Sequence, residues 1–306
     1  MAMPQQESLL ATKAINGWYL YWLITLPMTV FLVLNTVAAD LGNPEDVSQL
    51  ISYSVRWSVP FIYLVLAASS MPVAFPGDLS RWWARNRKYI GLVFATAMAW
   101  QGAFIFLVST VHSDYYYSDI YYLRDELEGS SGYIFLAAMV FTSFEFGRRL
   151  VTPRQWKLIH KSGVYFLWAY PFSVYWWNLF YYEAPRPIDY VFYVAGFLAF
   201  AVRIVAWAKK RHLKNQREGS NVAVTYRAVG YLLIALGLLA AGTGALWRES
   251  ISGILLTPAW SANLELWLPF WPLEPFLSLL MIALGAMTLT YRGTPSMASA
   301  GVANGG

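Results

Sequence analysis

The sequence predicts an all-α integral membrane protein, a polytopic bundle of about eight transmembrane helices with both termini on the cytoplasmic side. Three observations carry this prediction. Segments of about 20 apolar residues recur along the chain, the length that crosses a hydrocarbon core roughly 30 Å thick. The 306 residues are 58% hydrophobic and only 13% charged, whereas a soluble domain carries about 25% charged residues. The loops between the apolar segments alternate between basic and acidic, and basic loops remain cytoplasmic.

The apolar segments run over 17–39, 56–75, 89–111, 132–146, 163–182, 188–208, 228–247 and 270–291. The fourth is short, so it must extend into its flanks or lie in a thinned bilayer. Lys13 precedes the first segment, and Arg81, Arg85, Arg87 and Lys88 lie between the second and third. Arg148, Arg149, Arg154, Lys157 and Lys161 follow the fourth. Lys209, Lys210, Arg211, Lys214, Arg217 and Arg227 link the sixth and seventh, and Arg292 follows the eighth. Seventeen of the 22 Lys and Arg therefore belong to one side. Most of the acids belong to the other: Asp40, Glu45, Asp46, Asp114, Asp119, Asp125, Glu126, Glu128, Glu183, Asp189 and Glu249. Residues 1–16 are read as a cytoplasmic N-terminus, 17–292 as one transmembrane domain, and the Gly/Ala/Ser-rich 293–306 as a disordered tail. No basic, apolar and small-residue leader precedes the first segment. The bacterial inner (cytoplasmic) membrane is the expected location.

The acidic side is also aromatic. Tyr115, Tyr116, Tyr117, Tyr121 and Tyr122 crowd one loop, Trp176, Trp177, Tyr181 and Tyr182 end the fifth segment, and Trp260, Trp267 and Trp271 precede the eighth. An interfacial belt accounts for them first; a groove for quinone, pigment or a partner is the alternative. Residues 251–275 are apolar but broken by Pro258, Pro269, Pro272 and Pro275. Backbone groups facing lipid must be paired, so this stretch is expected to be re-entrant or to lie on the outer surface.

Composition removes several functions. The net charge of +5 resides in short inter-span loops, as topology requires, so nucleic acid is not a partner. The chain has no Cys, which excludes disulfides, thiolate-bound metals and Cys nucleophiles. No Ser-His-Asp order and no His/carboxylate metal cluster stands out. The acids of 114–129 suit solvated loop charge better than a cation site. Polar groups at depth are few and are the natural functional candidates. Glu145 ends the fourth segment and suggests a pair with Arg203 or Arg149; Arg203 otherwise snorkels to the cytoplasmic surface. Gln101, Asn178 and Asn35 are neutral groups suited to hydrogen bonds across helices. Arg56 and Glu274 are placed at outer interfaces. Gly237–Gly244 ("GLLAAGTG") suits close helix packing.

One run of features is more specific. In 54–106 an apolar segment ends in a small-Pro step, a short basic loop follows with Arg87 and Lys88, and "IGL" opens the next segment. Thr142–Ser143 closes the fourth segment, and "RRLVTPRQWKLIHKSGVYFLWAY" brings Trp156, Lys157 and His160 to the head of the fifth. This order over about 52–182 resembles the ferric-reductase-like transmembrane family. It is most similar to the haem-binding membrane subunits of bacterial methionine sulfoxide reductases. The resemblance implies b-type haem held between helices by converging imidazoles, since iron needs a nitrogen on each open axial face. The family's His positions fall here on Gln101, His160 and Ser173. Only His160 is a His, and Gln and Ser are poor axial ligands. His112, at the outer mouth of the third segment, lies about a bilayer from His160, and His212 lies in the basic linker; both are read as surface residues.

The expectation is therefore a haem-free, ferric-reductase-like inner-membrane protein with no resident cofactor. It would be a non-catalytic subunit or scaffold of a larger membrane complex, in contact with lipid, with other membrane subunits and with any bound quinone. The alternatives are an electron-transfer subunit with one b haem on His160, which would then be cofactor-binding, and a small-molecule transporter with a cavity lined by Gln101, Asn178 and Glu145.

Overall fold

The computed structural model describes residues 9–218 and 222–291; the tail expected at 293–306 and the first eight residues lie outside them. All regular structure among the described residues is helical. Ten helices frame it: α1 (Gly17–Ala38), α2 (Pro44–Ala68), α3 (Asp78–Val111), α4 (Leu123–Ser143), α5 (Pro153–Phe180), α6 (Pro187–Arg217), α7 (Val224–Gly242), α8 (Gly244–Leu256), α9 (Ala259–Trp267) and α10 (Glu274–Leu289). Five of them, α1, α2, α3, α6 and α7, are long and apolar enough to cross a membrane; α10 is apolar but has 16 residues. Leu23, Leu26, Val30, Leu34 and Val37 leave one side of α1 exposed, and Leu232, Leu236 and Leu239 do the same on α7. Such uncovered apolar faces on helices of this length suit lipid as their solvent.

Charged residues expected in loops are largely helical. Arg81, Arg85, Arg87 and Lys88 lie in the first turns of α3, a helix of 34 residues and so about 51 Å long. The basic run from Lys209 continues α6 to Arg217. The short fourth segment extends into its acidic flank, as α4 begins at Leu123. Asp125 and Glu126 occupy its first turn, where a helix N-terminus favours negative charge. α5 begins ten residues ahead of the expected boundary. Pro153 stands at its first position, and Thr152 and Gln155 form a reciprocal capping box, which meets two otherwise unpaired N–H groups.

The polar contacts sort the helix ends into two sets. At one end, Gly17 N–H donates to Asn86 Oδ1 (2.9 Å) and Trp82 Nε1 to the Ile15 carbonyl (2.9 Å). Lys209 Nζ reaches the Ala74 carbonyl (3.3 Å) and Asn215 the Thr290 carbonyl (3.1 Å). At the other, His112 Nε2 meets the Leu41 carbonyl (2.9 Å), and Tyr193 donates to the Ala241 carbonyl (2.7 Å). The first end carries the basic residues and the second the acidic, aromatic loops. α1 to α7 and α10 thus run alternately up and down.

The core lies between α2, α5 and α6, where Leu66, Ile62, Trp168, Phe172 and Trp176 are fully or nearly fully buried. α7 packs on α10 through small residues: a Cβ on Gly230 or on Gly285 would meet the other's carbonyl oxygen at 2.9 or 2.7 Å, and one on Gly237 would meet the Ser278 carbonyl at 2.8 Å. The packing expected of Gly237–Gly244 is present at Gly237 and Gly244 and extends beyond that stretch.

Residues 251–275 are largely helical. α7 stops at Gly242, five residues before the expected end, and α8 and α9 fill 244–267. The chain is irregular only at 257–258 and 268–273. There Phe270 and Leu273 take positive φ (63° and 68°), a conformation that other contacts must hold in a non-glycine residue. α4 supplies them: Glu128 accepts from Phe270 N–H (2.9 Å) and Arg124 donates to the Trp271 carbonyl (2.7 Å).

Candidate functional site: a closed basic end and an open acidic-end cavity

At the basic end the matched motif residues meet. Thr142 Oγ1 and His160 Nε2 are 3.0 Å apart, and Trp156 Nε1 donates to the Thr142 carbonyl (3.0 Å). The Trp156 ring stacks on His160 at 4.2 Å between centroids, and the Arg148 guanidinium lies over the Trp156 ring at 4.6 Å. Helical spacing explains the stack, since residues four apart share a helix face. Burial first, then Arg87 and Arg148, push the His160 imidazole down to about 4. It is neutral at neutral pH, and one ring nitrogen is already engaged.

Gln101 and Ser173 lie elsewhere. Ser173 is fully buried, and its hydroxyl has no partner. It is thirteen residues along α5 from His160, about 20 Å. Gln101 faces a cavity of about 520 Å³ that neither His160 nor Ser173 lines. The three positions therefore do not converge on one axis, and the structure places no pair of imidazoles across a common space. Among the described residues no group of three His, Cys or carboxylate side chains is arranged to hold a metal.

The cavity is walled by α2, α3, α4 and α5 and reaches the acidic, tyrosine-rich segment. Its deeper wall is apolar, with Val59, Phe94, Met98, Phe166 and Leu167. The Gln101 amide oxygen is buried there without a hydrogen bond. Nearer the mouth, Tyr116 donates to Glu126 (2.7 Å); burial, then this bond, raises the Tyr116 hydroxyl to about 12. Glu128 is held by Arg124 (3.2 Å) and Phe270 N–H. Asp189 pairs with Arg186 (3.4 Å) and accepts from Asn178 (3.1 Å). Arg56 and Asp125 also line the cavity. Burial raises the Asp125 carboxyl and Arg124 opposes this.

The other predicted polar groups are accounted for. Glu145 pairs with Arg149 and not with Arg203, on an exposed surface where such a pair contributes little. Arg203 reaches toward the basic end: it donates to Tyr165 Oη (2.7 Å), the Leu66 carbonyl (2.9 Å) and Ser69 Oγ (3.2 Å), closing the C-terminal end of α2. Asn178 does bond across helices, but Asn35 bonds back to its own helix at Phe31 (2.8 Å). Glu274 is fully buried within the protein and accepts from Tyr181 (2.9 Å) and Ser252. Sequence reasoning missed Arg56 and Asp125. Arg56 had a signal, being the lone charge in an otherwise apolar run; Asp125 was one acid among many.

Compared with known proteins, the chain matches no family model, no curated protein and no solved structure.

Proposed function

We propose that this chain is a haem-free, eight-span protein of the bacterial inner membrane, similar in frame to the ferric-reductase-like proteins. It serves as a non-catalytic subunit of a larger membrane assembly. One observation carries the reading: the imidazole at the one family ligand position that is a His is engaged by Thr142, stacked on Trp156, and has no second imidazole opposite. The optical spectrum of protein purified from haem-replete cells tests it. No Soret band is expected, and His160→Ala leaves the spectrum unchanged; reducible b-type peaks lost in that variant would establish the electron-transfer alternative instead.

The alternation of basic and acidic helix ends supports eight crossings with both termini cytoplasmic. The absence of Cys makes this easy to test. Ser118→Cys should react with an impermeant thiol reagent in intact spheroplasts, and Gln216→Cys only after lysis. The reverse pattern would invert the topology.

The cavity favours a second reading, binding or transport of a small molecule. Gln101 and Asn178 line it as that reading requires, whereas Glu145 is at the opposite end.

A further inference from the structure

One face of α3 lines the α2–α5 cavity, because Phe94, Met98, Gln101 and Ile105 recur along it at helical spacing. In that apolar stripe the Gln101 amide is the exception. Its oxygen is shut off from solvent and has no hydrogen bond. A buried acceptor in that state costs free energy until a donor reaches it. A second acceptor belongs to the same wall. Pro171 lies inside α5 and has no N–H, so the Leu167 carbonyl receives no bond from the residue four ahead. Leu167 and Pro171 both line the cavity. Of the charged lining residues, Glu126 is held by Tyr116, Glu128 by Arg124 and Arg186 by Asp189.

We propose that this cavity binds a neutral amphipath, an apolar chain whose hydroxyl head donates to the Gln101 amide oxygen. A hydroxyl both gives and accepts a hydrogen bond, which matches an amide that offers an acceptor and N–H donors together. A hydrocarbon would leave the amide oxygen unpaired. An ether or ester presents acceptors alone and would set oxygen against oxygen. An ammonium group would exchange its hydration for a neutral acceptor, which is costly. Phe94, Met98 and Phe166 receive the chain. The volume, about 520 Å³, lies within the range of small-molecule sites, roughly 300–1,000 Å³. The inference rests on the reading of this cavity as a small-molecule site and names the chemistry of its ligand.

Saturable binding to the full chain in detergent tests this, read by scintillation proximity with tritiated 1-dodecanol. The competitors are unlabelled 1-dodecanol, methyl dodecyl ether and laurate. The ether keeps the chain and loses the O–H; laurate is an anion that would favour Arg56, which also lines the cavity. The alcohol is expected to bind saturably, and the ether to compete about tenfold less well than the alcohol, which is what leaving one buried acceptor unpaired is worth. Gln101→Leu keeps a side chain of similar size and should abolish that preference in protein that stays monodisperse. Equal competition by alcohol and ether, or a preference unchanged by Gln101→Leu, overturns the hydroxyl assignment and leaves the small-molecule reading standing. Laurate competing better than the alcohol, and losing that advantage in Arg56→Gln, overturns it in the same way. Absence of saturable binding by any of these probes, as expected of a cavity filled by water alone, overturns both.

Discussion

The two ends of the bundle treat polar groups in opposite ways. At the basic end nearly every one is matched. Asn86 ties Gly17 to α3, Arg203 closes α2, and His160 is fixed between Thr142 and Trp156. At the acidic end, α2–α5 enclose a cavity in which the Gln101 amide oxygen is buried without a hydrogen bond. A buried polar group without a partner costs free energy, so satisfied groups mark stability and unsatisfied groups mark where something else belongs. The residue that most resembles a ligand in the sequence, His160, lies in the satisfied region. The residues that most resemble a binding site in space lie in the other.

Substitutions sharpen this contrast. The largest effect is expected where the acidic end is built rather than where it is open. Glu128 is buried and holds both Arg124 and the Phe270 N–H, and removing one partner of a buried pair costs about 3–5 kcal/mol. Glu128→Ala should lower thermal stability by that order and expose the 268–273 segment to proteolysis; an unchanged melting profile would break the argument that α4 holds this segment. At the basic end, Trp156→Ala removes the His160 stack, the Arg148 contact and a hydrogen bond. A loss of about 2 kcal/mol is expected from the bond and the aromatic contact together, read by thermal unfolding in detergent, with no change at the cavity. Gln101→Leu should do the reverse of both. Replacing an unsatisfied buried amide with an apolar group of similar size should raise stability by about 1 kcal/mol, and a clear loss would show that Gln101 has a partner after all.

The smallest effect is a pH dependence. The His160 pKa is lowered in the folded protein to about 4, below the unfolded value of about 6.5. The folded state favours the neutral ring, so the stability it contributes is complete above pH 6.5 and is lost as pH falls through about 4. His160→Ala should flatten the decline of the melting temperature between pH 7 and 4, and an equal slope in both proteins would show that the imidazole is free to protonate.

The fold was legible because its signals are long and redundant. Apolar runs and loop charge gave eight segments, each of which corresponds to a helix, and five of these meet the length and composition of a membrane crossing. Their starts were misplaced by up to twelve residues, because Arg87 and Asp125 look like loop charge yet lie within helices, as Lys209 does at the end of α6; Asp125 suits its helix N-terminus electrostatically. Pro258, Pro269, Pro272 and Pro275 suggested a re-entrant or surface-lying segment without showing its helices; Glu128 and Arg124, more than 130 residues away in sequence, hold the irregular turn at 268–273. The site was less legible. The Thr142, Trp156 and His160 cluster follows from their order in the chain, and Gln101 and Asn178 were singled out as polar groups within apolar runs. That Arg56 and Asp125 share a cavity with them depends on how four helices pack, and no local spacing reports it.

The most direct test is experimental density for the purified protein, recorded with anomalous data at the iron edge. No iron peak is expected anywhere in the bundle. A flat macrocycle with an iron peak beside Gln101 or His160 would contradict the account.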